Sequence, residues 1–167
     1  MNSLLLVRYA RYLKRTALYG NITVAYLTAS TFLYGGAMLG KGALVGVLVL
    51  AMLAFLATLS RELIKDIEDV EGDEKGGATT LPMRIGSRWT AALAVVCIGI
   101  AVALSPLPML DGFGGLHEGY LWLVAGADVG FVLSALLLVR EGPSKASKGI
   151  KLSMTLALCA FLAGSLV

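Results

Sequence analysis

Residues 43–75 read ALVGVLVLAMLAFLATLSRELIKDIEDVEGDEK. The first part, Ala43 to Leu59, is apolar apart from Gly46 and Thr58. As a helix it approaches the length needed to cross a hydrocarbon core of ~30 Å. The second part reverses character abruptly. Seven of the chain's eleven acidic residues fall between Glu62 and Glu74. An apolar run that ends in a block of carboxylates predicts a membrane span that delivers charge to one face of a bilayer.

The rest of the chain repeats the apolar theme. Of its 167 residues 57% are hydrophobic and 15% are charged, well under the ~25% charge of a soluble domain. Besides Ala43–Leu59, apolar runs cover Ile22–Met38, Trp89–Leu104, Tyr120–Val139 and Leu152–Val167. Glycines and prolines separate them: Gly35, Gly36, Gly40 and Gly42, then Pro106 and Pro108, then Gly142-Pro143. The runs do not alternate as barrel strands do. Within lipid each segment must satisfy its own backbone, so the prediction is all-α: a polytopic bundle of about five spanning helices in one domain, residues 1–167.

Charge sets the orientation. On alternate sides, thirteen of the fourteen Lys and Arg residues share one side, and only Lys41 lies on the other. Cytoplasmic loops hold such an excess. The carboxylate block is therefore expected on the cytoplasmic side of a multi-pass protein of the cell membrane, and the Asp111–His117 loop on the outside. The modest net charge of +3 gives no ground for nucleic-acid binding. Cys97 and Cys159 sit inside apolar runs and read as small core residues. A single histidine, His117, leaves no material for a His-rich metal site. No ordinary signal peptide opens the chain, since the apolar patch Leu4–Val7 precedes its basic residues. That patch reads as the tail of a helix that begins earlier.

Carboxylates beside a bilayer are costly unless neutralised. A divalent cation neutralises them economically, and ligands that are all oxygen suit Mg²⁺. Asp66, Asp69 and Asp73 are spaced i, i+3, i+7, which places them on one arc of a helix, with Glu62 on the same face. Glu68 and Glu71 fall on the opposite side. Such a face can hold Mg²⁺ with positions open for diphosphate oxygens. The plain alternative is a solvated helix extension with Lys65 and Lys75 as salt-bridge partners, and spacing leaves both readings open.

The segment from Arg61 to Pro82, RELIKDIEDVEGDEKGGATTLP, closely resembles the second aspartate-rich motif of the UbiA superfamily of intramembrane prenyltransferases. Within it, the Lys-Asp-Ile-Glu-Asp run, Gly-Asp and Thr-Leu-Pro are most similar to the archaeal digeranylgeranylglyceryl phosphate synthases. Quinone, tocopherol and chlorophyll enzymes share the Asp-Val-Glu-Gly-Asp core. A second patch, Tyr9 to Asn21, resembles the family's basic segment, with Lys14 and Arg15 at diphosphate-contacting positions.

The resemblance implies that Asp66, Asp69 and Asp73 are catalytic metal ligands for Mg²⁺. It implies that Lys14, Arg15, Lys65 and Asn21 bind substrate. The donor is an isoprenoid diphosphate and the acceptor is phosphorylated or aromatic. For the archaeal lipid enzymes these are geranylgeranyl diphosphate and geranylgeranylglyceryl phosphate. The family's first motif, of the form Asn-Asp-x-x-Asp-x-x-x-Asp, does not occur in these 167 residues. The resemblance therefore covers the C-terminal part of the family fold. It leaves room for an N-terminal partner chain that carries the first motif, or for a non-catalytic remnant or subunit.

Other residues have simpler expectations. Asn21 is also read as a helix cap. Asp128, between Gly126 and Gly130, is read as a satisfied acid packed against a neighbouring helix. Arg84 and Arg88 anchor the third span. Tyr34, Trp89, Tyr120 and Trp122 lie near span ends, as interface anchors do.

Overall fold

The computed structural model describes residues 16–39, 44–110 and 118–165, together with Asn2 and Leu6. Among these residues there is no strand. Five long helices occupy the predicted spans: α1 (Tyr19–Leu39), α2 (Leu44–Glu68), α5 (Ser87–Leu104), α6 (Glu118–Arg140) and α7 (Pro143–Ser165). Two short helices, α3 (Val70–Lys75) and α4 (Leu81–Ile85), fill the motif loop, and a 3₁₀ turn covers Leu107–Met109.

Four stretches, Gly46–Glu68, Ser87–Met109, Gly119–Arg140 and Pro143–Gly164, are long and apolar enough to cross a membrane. The first expected span, on α1, is not among them. Hydroxyls and glycines dilute its apolar character: Thr23, Thr28, Ser30, Thr31, Tyr34, Gly35 and Gly36 all lie within it. Thr23, Thr28, Ser30 and Thr31 turn their hydroxyls back onto carbonyls of their own helix. That satisfies a polar side chain in an apolar setting.

The last helix begins well before the apolar run that predicts it. Pro143 opens α7, a position where its missing N–H costs nothing. Gly142 takes φ +96° to turn the chain out of α6. Lys145, Lys148 and Lys151 therefore ride on the first turns of α7.

The α6–α7 hairpin has the most extensive contact in the bundle, followed by α1 on α2 and α2 on α5. Glycines set the close approaches. A Cβ on Gly130 would collide with Ser153 Oγ, and one on Gly149 with Ser134 Oγ. A Cβ on Gly36 would overlap the Val47 side chain. The outer surface is apolar, as lipid requires: Trp122, Val139 and Leu152 are 79%, 79% and 74% exposed.

Two expectations change here. Tyr120 is not an interface anchor, since it is fully buried. Its ring stacks on Phe161 with centroids 5.5 Å apart, and its hydroxyl donates to the Ser105 carbonyl. Cys97 is buried, but Cys159 is exposed on the apolar outer surface and is not a core residue.

Candidate active site

The end of α2 carries the acidic face, and a packed base holds it. Leu63 and Ile64 are fully buried. They share a core cluster with Leu81 beyond the motif loop and with Ala146 and Ile150 of α7. This base fixes the turn that bears Asp66.

Asp66 is half-buried, and Asn21 Nδ2 donates to its Oδ2 at 2.8 Å. Asn21 itself is 8% exposed, two residues inside α1. Hydrogen bonds to an ionised carboxylate are the stronger kind. Asn21 is therefore not a helix cap, because it lies inside α1 and its amide is directed across the α1–α2 interface at Asp66. Asp73, Glu62 and Asp69 all lie close enough to repel the Asp66 charge.

The helix bends at Asp69, which takes φ −98° and ψ 7°. The hydrogen-bond ladder survives the bend: Asp69 N–H donates to Lys65 O and Asp73 N–H to Asp69 O, both at 2.9 Å. Asp69 is exposed, and its carboxylate faces Lys65 Nζ at 4.0 Å. Asp73, on α3, is half-buried. Its carbonyl accepts from Ala78 N–H at 2.9 Å, which folds the loop back toward the helix. Glu68, Glu71 and Glu74 are exposed.

The three aspartates do not form a closed cage. Among the described residues no group of three or more His, Cys, Asp or Glu side chains is arranged to hold a metal ion. Like charges separate when nothing draws them together, the bend turns Asp69 outward, and Lys65 offers it a partner. The donors are nevertheless all oxygen and come from one stretch of chain, a set that suits a hard cation. They fit one side of a divalent-metal site. Lys65 is exposed and engaged by Asp69. Lys14 and Arg15 lie outside the described residues. Arg84 and Arg88 are exposed beside the motif loop.

A cavity of about 390 Å³ opens between α1, α2, α5, α6 and α7. Its walls include Phe32, Leu53, Ala57, Ala101, Phe131 and Leu158. Asp128 borders it and accepts a hydrogen bond from Ser105 Oγ at 2.5 Å. The acid accepts from a residue at the end of the neighbouring helix α5, as the reading of an acid packed against an adjacent helix expects. Sequence reasoning missed two links: Asn21 to Asp66 and Ser105 to Asp128. The available signal for both was an amide or acid set in an apolar helix.

The UbiA prenyltransferase family profile matches residues 1–163. The digeranylgeranylglyceryl phosphate synthase of Methanosarcina mazei is 49% identical over 98% of this chain and 56% of its own length. That of Methanococcoides burtonii is 43% identical over 98% of this chain and 58% of its own. A solved structure, described as giving structural and mechanistic insights into the biosynthesis of digeranylgeranylglyceryl phosphate synthase in membranes, superposes with a TM-score of 0.88. It is 37% identical, over 98% of this chain and 58% of that one. The chain thus spans somewhat over half the length of the relatives it matches. With its helical bundle, its acidic motif and a profile match along nearly its whole length, this chain belongs to the UbiA prenyltransferase family.

Proposed function

We propose that this chain contributes the second aspartate motif and the tail cavity of an enzyme that transfers a geranylgeranyl group. The donor is geranylgeranyl diphosphate, and the acceptor is the free hydroxyl of geranylgeranylglyceryl phosphate. The observation that carries the reading is similarity along 98% of the chain to relatives of that name. The local geometry supports it, because the acidic face lies at one end of the bundle and an apolar cavity lies within it.

Asp66, Asp69 and Asp73 would hold Mg²⁺ on the cytoplasmic side, where the positive-inside bias places them. Bound there, the metal would neutralise the diphosphate and ease its departure. Asn21 orients Asp66 by its hydrogen bond. Lys14, Arg15 and Lys65 add positive charge for the diphosphate. The cavity walls exclude water from the allylic cation left when the donor's C–O bond breaks. The acceptor oxygen then bonds to that carbon and loses its proton.

One side of a metal site positions a highly charged leaving group poorly, and fixed positioning supplies much of such catalysis. The reading therefore includes a partner segment or chain with the first motif. An acceptor of the aromatic, quinone or chlorophyll type is a second reading, which the shared motif core leaves open. A non-catalytic subunit is a third, favoured by the open arrangement of the aspartates.

The test is prenyl transfer in lipid with Mg²⁺, with the 167-residue chain alone and joined to the N-terminal helices of a relative. The joined form should turn over geranylgeranylglyceryl phosphate in preference to aromatic acceptors, and the chain alone should be nearly inactive. Asp66→Ala, Asp69→Ala and Asp73→Ala should each cost about 100-fold or more in kcat/KM, a loss of ~2.7 kcal/mol in transition-state stabilisation. Glu71→Ala should cost little. Equal losses at Glu71 and Asp69, or preference for an aromatic acceptor, would count against the assignment.

A further inference from the structure

Helix α7 turns Met154, Thr155, Ala157, Leu158 and Phe161 to the cavity. Leu158 lies seven residues beyond Lys151, and Thr155 seven beyond Lys148. Seven residues make almost two whole turns, so both lysines stand on the helical arc that lines the cavity. Their height is fixed from both sides. Ile150, just before Lys151, shares a core cluster with Leu63 and Ile64, the turn that leads to Asp66. Met154, three residues after Lys151, is already on the cavity wall. A helical side chain leans toward the N-terminus of its own helix. The Lys151 side chain therefore leans from the wall toward the end of the bundle that carries Asp66.

Both lysines are exposed, and both lie inside the apolar stretch Pro143–Gly164. Gly149, between them, packs on Ser134, six residues short of Arg140 and about 9 Å below it by helical rise. The ion pairs among the described residues engage Arg61, Lys65 and Lys145, so no carboxylate there answers Lys148 or Lys151. Ionisable groups at such depth mark substrate sites by default. Arg84 and Arg88 are also exposed at this end, but α5 reaches the cavity only at Ala101 and beyond, about 20 Å of rise past Arg88.

We propose that Lys148 and Lys151 form the subsite for the acceptor's phosphate, a phosphomonoester on a lipid alcohol. The inference rests on the reading that Asp66 holds the donor's diphosphate through Mg²⁺ at the end of the same cavity. The acceptor hydroxyl must reach the donor carbon as that diphosphate leaves. Its own phosphate lies only a few bonds from the hydroxyl, so a second anion is drawn close to the first. Like charges at that range repel unless each has a cation of its own. Lys65 faces Asp69, whereas Lys148 and Lys151 are open at the mouth of the cavity. An ammonium group, with three donors on a flexible stem, suits a phosphate that still has to turn into place. Aromatic and quinone acceptors bring no such anion, so the lysine pair selects the phosphorylated class.

The experiment measures binding of geranylgeranylglyceryl phosphate, its phosphate-free alcohol and geranylgeranyl thiolodiphosphate to the chain in phosphatidylcholine nanodiscs with Mg²⁺. The wild type should prefer the phosphate over the alcohol about tenfold, the factor that ~1.4 kcal/mol supplies. Lys148→Gln with Lys151→Gln should erase that preference and leave thiolodiphosphate binding unchanged. Lys148→Arg with Lys151→Arg should keep it, as should Lys75→Gln with Arg88→Gln, which removes the same charge elsewhere at that end. If the glutamine pair does not fold, Lys151→Gln alone is read in its place. No preference in the wild type, a preference that survives the glutamine change, or an equal loss in the Lys75 and Arg88 pair overturns the subsite while the donor reading stands. An equal fall in thiolodiphosphate binding gives the lysines to the donor, and displacement of the acceptor by an equal amount of phosphatidylglycerol gives them to bilayer headgroups. Either result overturns the inference. Failure of the thiolodiphosphate to bind the wild type overturns the donor reading and the subsite together.

Discussion

Asn21 and Asp66 are 45 positions apart in sequence and 2.8 Å apart in space. Sequence made Asp66 a metal ligand and Asn21 a cap or a substrate contact. It had no means of pairing them, because nothing in a one-dimensional pattern says which residue of one span faces which residue of another. The consequence is testable in the joined enzyme. Asn21→Ala should lower kcat/KM about tenfold, less than Asp66→Ala, because it removes a hydrogen bond worth about 1.5 kcal/mol and leaves the carboxylate itself in place. It should also raise the Mg²⁺ concentration needed for half-maximal rate. Asn21→Asp should be worse than Asn21→Ala, since it sets a second negative charge against Asp66. An alanine variant with unchanged Mg²⁺ dependence would return Asn21 to a purely structural role. Asp69 carries the opposite lesson. Its helical spacing from Asp66 was legible, but the bend that turns it toward Lys65 was not, because a backbone bend with an intact hydrogen-bond ladder leaves no mark in the residue pattern.

Hydropathy located the five long helices, because a bilayer leaves helix as the only state for a lone apolar run. It located their ends less well. The apolar run at Leu152 hid the lysine-bearing first turns of α7, where helix continues into a polar region. Tyr120 was misread for a related reason: position near a span end predicts an anchor, and only packing against Phe161 shows a core residue. Between α6 and α7 the small residues interlock, glycine against serine in both directions. Gly130→Val should therefore destabilise the bundle by about 1–3 kcal/mol, the usual cost of forcing extra volume into a packed interface. The exchange Gly130→Ser with Ser153→Gly should recover most of that stability. Thermal unfolding in detergent checks both, and a recovery no better than either single change would show that the interface tolerates the volume elsewhere.

At the scale of the whole molecule, the alternation of helices puts Arg61, Lys65, Lys75, Arg84, Arg88 and Arg140 at one end of the bundle, with the lysines of α7. Single cysteines at positions 75 and 110 should therefore react with an impermeant reagent from opposite faces of sealed vesicles. Reaction from the same face would defeat the topology and with it the placement of the motif on the cytoplasmic side. The glycine–serine interlock also bears on how such a molecule is assembled. Sliding α7 by four residues in one direction would bring Ser134 against Ser153, two side chains where there is room for one. Sliding it the other way would set Gly130 against Gly149 and leave a gap between them. The hairpin carries its own alignment marks. During biogenesis it can leave the insertion machinery already in register, a finished wall against which earlier spans come to rest.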